Sequence, residues 1–420
     1  MRCPLALGAA SLGLSSFLRE TTLTPHVSES GFAPARDFLF VQSTTEVGGA
    51  EVALVNLFAN NAELRRRGVV ATLGFGNGDL PSRLRAVGAE VVELSPARLR
   101  SPLRLVSCLM ALRRVVLSYG VRVVVGNGAH PQIFGGWAAR LSGVKSVFLV
   151  NMIHAVPLRA NDPRDILAIR GPCDLMLAIS KASQETLASL RPGVETRLLY
   201  WGTPDTDVRD TDRWSARAEL GAGPDDVLVG VFGRLQRWKG QDVFVEAASQ
   251  VARQRTEVRF AVVGGSVFGL EPEFAEALRE SSRNLGISDK IVFTGFRSDV
   301  GRLMAACDIV CHTTRVAEPL GLVVLEAMSL GRAVIATEGG GPSEIIESDE
   351  MGLLVPGGDP AALAEAIASL AREPERRRRM GIRAAERVKS AFTIESMAKN
   401  LLGHLGELAN DQPLRRSSHY

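Results

Sequence analysis

Several things are scarce in this 420-residue chain, and each absence narrows its class. No stretch approaches ~20 uninterrupted apolar residues, so no membrane-spanning helix is expected. The five cysteines, Cys3, Cys108, Cys173, Cys307 and Cys311, are odd in number and scattered. They read as reduced thiols, mostly in the core of a cytoplasmic protein, and not as a disulfide framework. Six histidines form no cluster with ligand spacing, so no metal is expected. GxGxxG and GxxxxGK[ST] are missing, which disfavours the usual dinucleotide site and excludes a P-loop. There is no GxSxG and no HExxH, so hydrolase chemistry of those types is excluded.

Charge of either sign is nearly balanced overall, at +3, but unevenly spread. Residues 1–200 hold 22 Lys and Arg against 14 Asp and Glu, a balance of +8, and the remainder holds 27 against 32, a balance of −5. The run Arg376–Arg379 has acidic neighbours and reads as a solvated helix face, so no nucleic-acid partner is expected.

What is present is alternation. Short apolar runs that end in glycine loops, each followed by a helical pattern, describe mostly parallel sheets covered on both faces. The runs are Phe38–Gln42, Val69–Leu73, Glu90–Leu94, Arg122–Val125, Ser146–Val150 and Leu175–Ile179, with a helix expected over Glu51–Arg67. After a polar stretch from Trp201 to Asp226, read as a linker, a second series begins at Val227–Phe232. It continues through Arg259–Val263, Ile291–Thr294, Ile309–His312, Ala333–Thr337 and Gly352–Val355. Two doubly wound α/β, Rossmann-like domains follow, a length each can support. The expected division is a disordered leader at 1–35, a first domain at 36–202, a second at 203–390, and a tail at 409–420.

Ligands bind such sheets beyond the carboxyl ends of strands. Four stretches stand there. Glu318–Met328, EPLGLVVLEAM, sets two carboxylates, Glu318 and Glu326, around a helix start at which Gly321 admits close backbone approach. Gly233–Gly240, GRLQRWKG, offers Arg234 and Lys239 to a diphosphate. Gly48 and Gly49 follow the first strand, and Gly339–Ile346, GGGPSEII, follows a late one. Each has an ordinary alternative as a surface loop or tight turn. Two strand-end histidines, His154 and His130, compete for a cleft role. The DxD triplets Asp205–Asp207 and Asp210–Asp212 lie in the polar stretch, where no strand holds them rigid for a metal.

Taken together and in this order, the motifs resemble the retaining glycosyltransferases of family 4 (glycosyl transferases group 1), over residues 36–408. Glu318–Glu326 is similar to that family's E-x7-E motif, GRLQRWKG to its phosphate loop, TGF at 294–296 to its base-side loop, VGGAE to its first glycine loop, and NMIH to the segment with its cleft histidine. Two departures stand out: EPLG where the family has EPFG, and Trp201 where an inter-domain turn usually has Asn.

The resemblance implies a GT-B fold and a nucleotide-diphosphate sugar donor, UDP-, GDP- or ADP-linked, with no metal or cofactor. Arg234 and Lys239 are then expected to hold the diphosphate, Glu326 the ribose, and Glu318 and His154 the donor sugar near the reaction centre. Gly233, Gly295, Phe296 and the backbone of Leu320, Gly321 and Leu322 complete the nucleotide-sugar site, which Gly49 closes from the other domain. A last helix at 391–408 is expected to pack back on the first domain. The acceptor is expected to be a glycan, a lipid or a small molecule. The segment Ala97–Tyr119 carries five arginines and no acid, and is read either as a basic amphipathic helix on an anionic membrane or as a core-packed helix. The corresponding location is cytoplasmic, peripheral on the inner face of a membrane. Two other functions compete: a GT-B sugar-nucleotide epimerase or hydrolase, and a non-catalytic sugar-nucleotide binder.

Overall fold

The computed structural model describes residues 35–45, 48–75, 78–94, 102–150, 163–204, 210–266 and 271–411. The segment with His154, the first DxD triplet, residues 1–34 and Ala97–Ser101 lie outside the described residues.

Two parallel sheets form. The first contains β1 (Phe38–Thr44), β2 (Gly68–Phe75), β3 (Glu90–Glu93), β4 (Val123–Asn127), β5 (Lys145–Val150), β6 (Leu175–Ala178) and β7 (Glu195–Leu198), in the order β3-β2-β1-β4-β5-β6-β7. The second contains β8 (Val227–Phe232), β9 (Val258–Val263), β10 (Ile291–Gly295), β11 (Ile309–His312), β12 (Ala333–Thr337) and β13 (Leu353–Val355), in the order β10-β9-β8-β11-β12-β13. The central strands β4, β8 and β12 are buried throughout and β1 over its first five residues, mostly by apolar side chains on both faces, as helices on both sides require. In each sheet the order reverses beside the first strand, between β1 and β4 and between β8 and β11. A crevice opens at such a reversal. GRLQRWKG leaves β8 and the loop carrying Glu318 leaves β11, so both stand at the second crevice.

Three expectations are corrected. The helix expected over Glu51–Arg67 is two helices, Gly49–Asn60 and Ala62–Arg67. Asn61 breaks it by adopting an extended backbone and accepting a hydrogen bond from the Leu64 amide, since a short amide side chain competes with the helix. The stretch read as a linker contains the helix Asp210–Glu219. Its anchor is Arg217, buried to 3% exposure, which donates to the carbonyls of Ala306, Gly223 and Asp226 and pairs with Asp308 at 2.9 Å. Asp210 and Asp212 therefore belong to the start of a helix. The last helix, Ile394–Asn410, runs two residues past the expected end.

That last helix packs on β4 and on Gly49–Asn60, so it returns to the first sheet. Arg122 donates to the Ala409 carbonyl, Arg197 pairs with Glu407, and Lys145 reaches Asp411 at 3.5 Å. The chain thus passes between the sheets twice, at 200–203 and at 392–394. The two passages touch: the Thr203 amide donates to the Phe392 carbonyl at 3.0 Å. A Cβ on Gly202 would sit 2.2 Å from the Thr393 carbonyl oxygen, so only glycine fits. Trp201, the departure noted in the sequence, is a core residue there, 3% exposed.

Candidate active site

Lys239 and Glu318 meet at the mouth of the second crevice. The Lys239 Nζ donates to Glu318 Oε2 at 2.8 Å, and both side chains are largely buried. Lys239 lies in a single 3-10 turn that Gly240 ends in the left-handed region, φ +68°. A Cβ on Gly240 would overlap the Thr313 carbonyl, so the loop presses directly against the chain after β11. Thr313 secures this by donating its hydroxyl to the Lys239 carbonyl at 2.9 Å. Burial opposes the Glu318 charge, but Lys239 and the nearby His312 outweigh it and hold the carboxyl well below the usual range.

His312, the last residue of β11, is a participant that the sequence reading passed over. Its Nε2 is 3.6 Å from Glu318 Oε2, it is 5% exposed, and neither ring nitrogen has a hydrogen-bond partner among the described residues. The signal was available, since a histidine ending a central strand must face the crevice.

Behind Glu318 the loop is pinned to the glycine stretch after β12. The Gly341 amide donates to the Glu318 carbonyl at 2.9 Å, and Glu318 bridges Gly340. Leu320 is buried, and Gly321, at φ +88°, turns the chain into the helix Leu322–Ser329 with no side chain capping it. Glu326 lies one turn further on. Its carboxylate has no partner among the described residues, and burial pushes its pKa up to about 7.

The first domain faces this point. A Cβ on Gly49 would lie 3.3 Å from Leu322 Cδ1, so the starts of Gly49–Asn60 and Leu322–Ser329 confront each other across the gap. Both helix ends direct unpaired amides and positive dipole ends into it. Glu51, also passed over, fixes the first of them. Its carboxylate accepts from the Gly48 amide at 3.0 Å and from Gln42, which Asn127 in turn holds at 2.8 Å. Burial raises the Glu51 pKa, the hydrogen bonds and the charge of Arg234 oppose the rise, and burial wins.

Gly233 is held between strands, its amide donating to Val263, and Gly264 leaves no room for a Cβ against the Gly233 carbonyl. Gly264 also donates to Gly295, which ends β10 at φ +70°. Phe296, beyond it, stands 71% exposed on the rim. The structure therefore gathers Gly49, Arg234, Lys239, Glu318, Leu320, Gly321 and Leu322 around one gap, with Glu326, Gly233, Gly295 and Phe296 further along the same rim. His130 is not among them: it packs edge-on against Phe75 and tilted against Phe134, with burial and Arg164 lowering its pKa to about 4. Among the described residues no group of histidine, cysteine and carboxylate side chains is arranged to hold a metal.

The chemistry this permits is binding of a dianion beside a desolvated carboxylate, with cations and helix ends ready for developing negative charge. The family model described as "Glycosyl transferases group 1" matches residues 212–387. A D-inositol 3-phosphate glycosyltransferase of Nocardia farcinica is 35% identical over 48% of this chain and 45% of that one. The lipopolysaccharide core biosynthesis mannosyltransferase LpsB of Rhizobium meliloti is 31% identical over 45% of this chain and 54% of its own. The chain thus spans about half the length of these curated relatives. The crystal structure of Anabaena HepE in complex with UDP and glucose superimposes with a TM-score of 0.78, at 25% identity, over 88% of this chain and 99% of that one. The two-sheet architecture is that of GT-B proteins, and within it residues 212–387 match the glycosyl transferases group 1 model.

Proposed function

We propose that the chain is a glycosyltransferase that moves a sugar, a hexose in our reading, from a nucleotide-diphosphate sugar to an acceptor, with retention of anomeric configuration. The observation that carries the proposal is the gap between two helix starts, lined by Lys239 and Arg234, with Glu326, which has no side-chain partner among the described residues, further along its rim. Lys239 and Arg234 hold the diphosphate and stabilise the charge left on it as the sugar departs. The amides at Leu320–Leu322 and Gly49 meet phosphate and sugar. Glu326 accepts from two vicinal ribose hydroxyls, Glu318 contacts the donor sugar, Gly233, Gly295 and Phe296 border the base, and His154 serves the sugar from the first domain. The acceptor attacks the face from which the phosphate leaves, and no metal or cofactor takes part. The HepE complex with UDP and glucose supports a nucleotide-sugar donor.

The test is turnover with UDP-, GDP- and ADP-sugars, with and without glycan, lipid and small-molecule acceptors. Transfer with an unchanged anomeric configuration, read by NMR, is expected. Donor cleavage or epimerisation with no transfer to any acceptor instead establishes the epimerase or hydrolase alternative. Binding without turnover establishes the non-catalytic one.

The acceptor side has one distinguishing surface. Helices Pro102–Tyr119, Ala129–Ser142 and Pro163–Arg170 pack side by side on one face of the first sheet. Leu103, Val106, Met110 and Leu117 project outward from the first, Trp137 and Leu141 from the second, and Ile166 and Leu167 from the third. Exposed Arg104, Arg114, Arg140 and Arg170 surround them, and residues 101–150 contain no acid. This reading gives the Pro102–Tyr119 helix both a core-packed face and an outer face that rests on an anionic membrane at a cytoplasmic surface, where a lipid-linked acceptor would be presented. No helix among the described residues is long and apolar enough to cross a membrane. The protein is expected to sediment with phosphatidylglycerol vesicles, to be released by high salt, and to lose binding in Trp137→Glu. Equal sedimentation with neutral vesicles, or none with either, refutes the membrane reading.

A further inference from the structure

We infer that Glu344 is a positioning residue: its carboxylate latches the second domain onto the first and so sets the gap in which Lys239, Glu318 and Gly49 face one another. Glu344 belongs to the five-residue helix Gly341–Ile345 of the second domain. Its carboxylate leaves that domain entirely. One oxygen accepts from the Ala182 amide at 2.9 Å. The other accepts from the Lys181 amide at 2.9 Å and from the Tyr200 hydroxyl at 2.8 Å.

Lys181 and Ala182 open the first-domain helix Lys181–Leu190, and four amides at such a start lack helical partners. Ser180, at the cap position, accepts from the Ser183 amide. Glu344 takes two of the others from across the interface, and a carboxylate is the preferred charge at that end. The charge makes all three of its bonds stronger than neutral ones.

Two connections lead away from this carboxylate. One goes to the passages between the sheets. Tyr200 immediately precedes Trp201, and its ring packs edge-on against Phe392, 5.0 Å between centroids, at the return passage. Arg387 lies over the same Phe392 ring and pairs with Glu347 at 2.6 Å. The latch therefore stands where both passages meet. The other connection goes to the candidate site. Gly341, three residues before Glu344, donates its amide to the Glu318 carbonyl, and Pro342 Cγ is 3.2 Å from where a Cβ on Gly321 would stand. Movement of Glu344 relative to the first domain thus moves the backbone of Glu318 and Gly321 relative to Gly49. Two domains of one chain that meet over a limited interface are expected to shift when such a contact is lost.

Small-angle scattering of the full chain, with and without UDP, tests this on Glu344→Ala, Glu344→Gln and Tyr200→Phe. The freed amides of Glu344→Ala open to water, so its melting temperature is expected to fall by no more than ~3 °C. Its radius of gyration rises and its pair-distance distribution broadens. Tyr200→Phe, which keeps the ring packing and loses one bond, lies between it and the wild type. UDP affinity, made mostly by second-domain groups, changes by no more than a few-fold, while kcat for transfer falls about tenfold or more with KM little changed, because the gap is no longer held closed. Scattering of Glu344→Ala that superimposes on wild type in both states overturns the inference, and so does an unchanged kcat. If the alanine variant fails to fold, Glu344→Gln is judged by the same scattering criterion. The kinetic arm rests on the glycosyltransferase reading and the scattering arm does not. A wild type without transfer activity but with an opened Glu344→Ala would refute the function and leave the latch standing.

Discussion

Lys239→Ala is expected to weaken nucleotide-sugar binding by at least tenfold and to cost the fold about 3 kcal/mol. The two effects have one origin. Glu318 is 14% exposed at its side chain and owes its ionised state chiefly to Lys239, with a smaller contribution from His312 at 3.6 Å. Removing the lysine leaves a carboxylate in a desolvated place with only His312 beside it. The penalty for such a group exceeds what the intact pair contributes. The double variant Lys239→Ala/Glu318→Gln is therefore expected to recover most of the lost stability and none of the affinity, since the diphosphate still lacks its cation. Acid dependence follows with a definite sign. The wild-type carboxyl titrates below its unfolded value, so its contribution to stability is fully present above about pH 4.5 and is lost as pH falls through the depressed folded value. In Lys239→Ala burial acts unopposed by the lysine, and part of the penalty is relieved by acidification. Urea titrations at pH 5 and 8 and calorimetric titration with UDP check both parts. Wild-type stability together with wild-type affinity in Lys239→Ala would remove Lys239 from the site.

The legible parts of this molecule are those set by local pattern. Buried parallel strands are apolar on both faces, so β1, β8 and β11 can be read directly, and the glycine loops at their carboxyl ends mark the crevice. Glu318, Lys239 and Gly321 were legible because each lies within a few residues of a strand end or helix start. The helix Asp210–Glu219 was not, because its sequence, DTDRWSARAE, is overwhelmingly polar and its burial depends on one arginine reaching carbonyls up to 89 residues away. β7, ETRL, was missed for a related reason: an edge strand with three polar residues out of four carries no apolar run. Contacts between the domains were invisible altogether. Nothing local in GGGPSEII says that Glu344 caps a helix 162 residues earlier, or that Glu51 lies within reach of the charge of Arg234. Phe296, read from the sequence as a rim residue that lines a base pocket or belongs to the core, is 71% exposed and not in the core.

Glu326 provides the second large effect, and here the direction with pH is reversed. Its carboxyl titrates near pH 7 because burial penalises the charge and no cation or donor among the described residues offsets it. A carboxyl whose folded value lies above its unfolded value destabilises the fold wherever it is ionised and costs nothing below the unfolded value. The cost therefore grows as pH rises from about 4.5 to 7 and reaches at most ~3 kcal/mol. Glu326→Gln is accordingly expected to melt roughly 5 °C above wild type at pH 8, an advantage that fades toward pH 5. The same substitution should harm function. Two vicinal hydroxyls satisfy an ionised carboxylate with two donated hydrogen bonds, whereas an amide accepts only at its one oxygen. Wild-type affinity for UDP is then expected to fall about tenfold between pH 8 and pH 6, as the carboxylate becomes protonated, and 2′,3′-dideoxy-UDP should show no such slope. Glu326→Gln should bind UDP weakly and equally at both values. A stabilised variant that retains full affinity and the wild-type pH slope would show that Glu326 is merely a buried acid, and that the ribose is held elsewhere. A more stable protein that binds its ligand less well is the signature of a group kept for function at a cost to the fold.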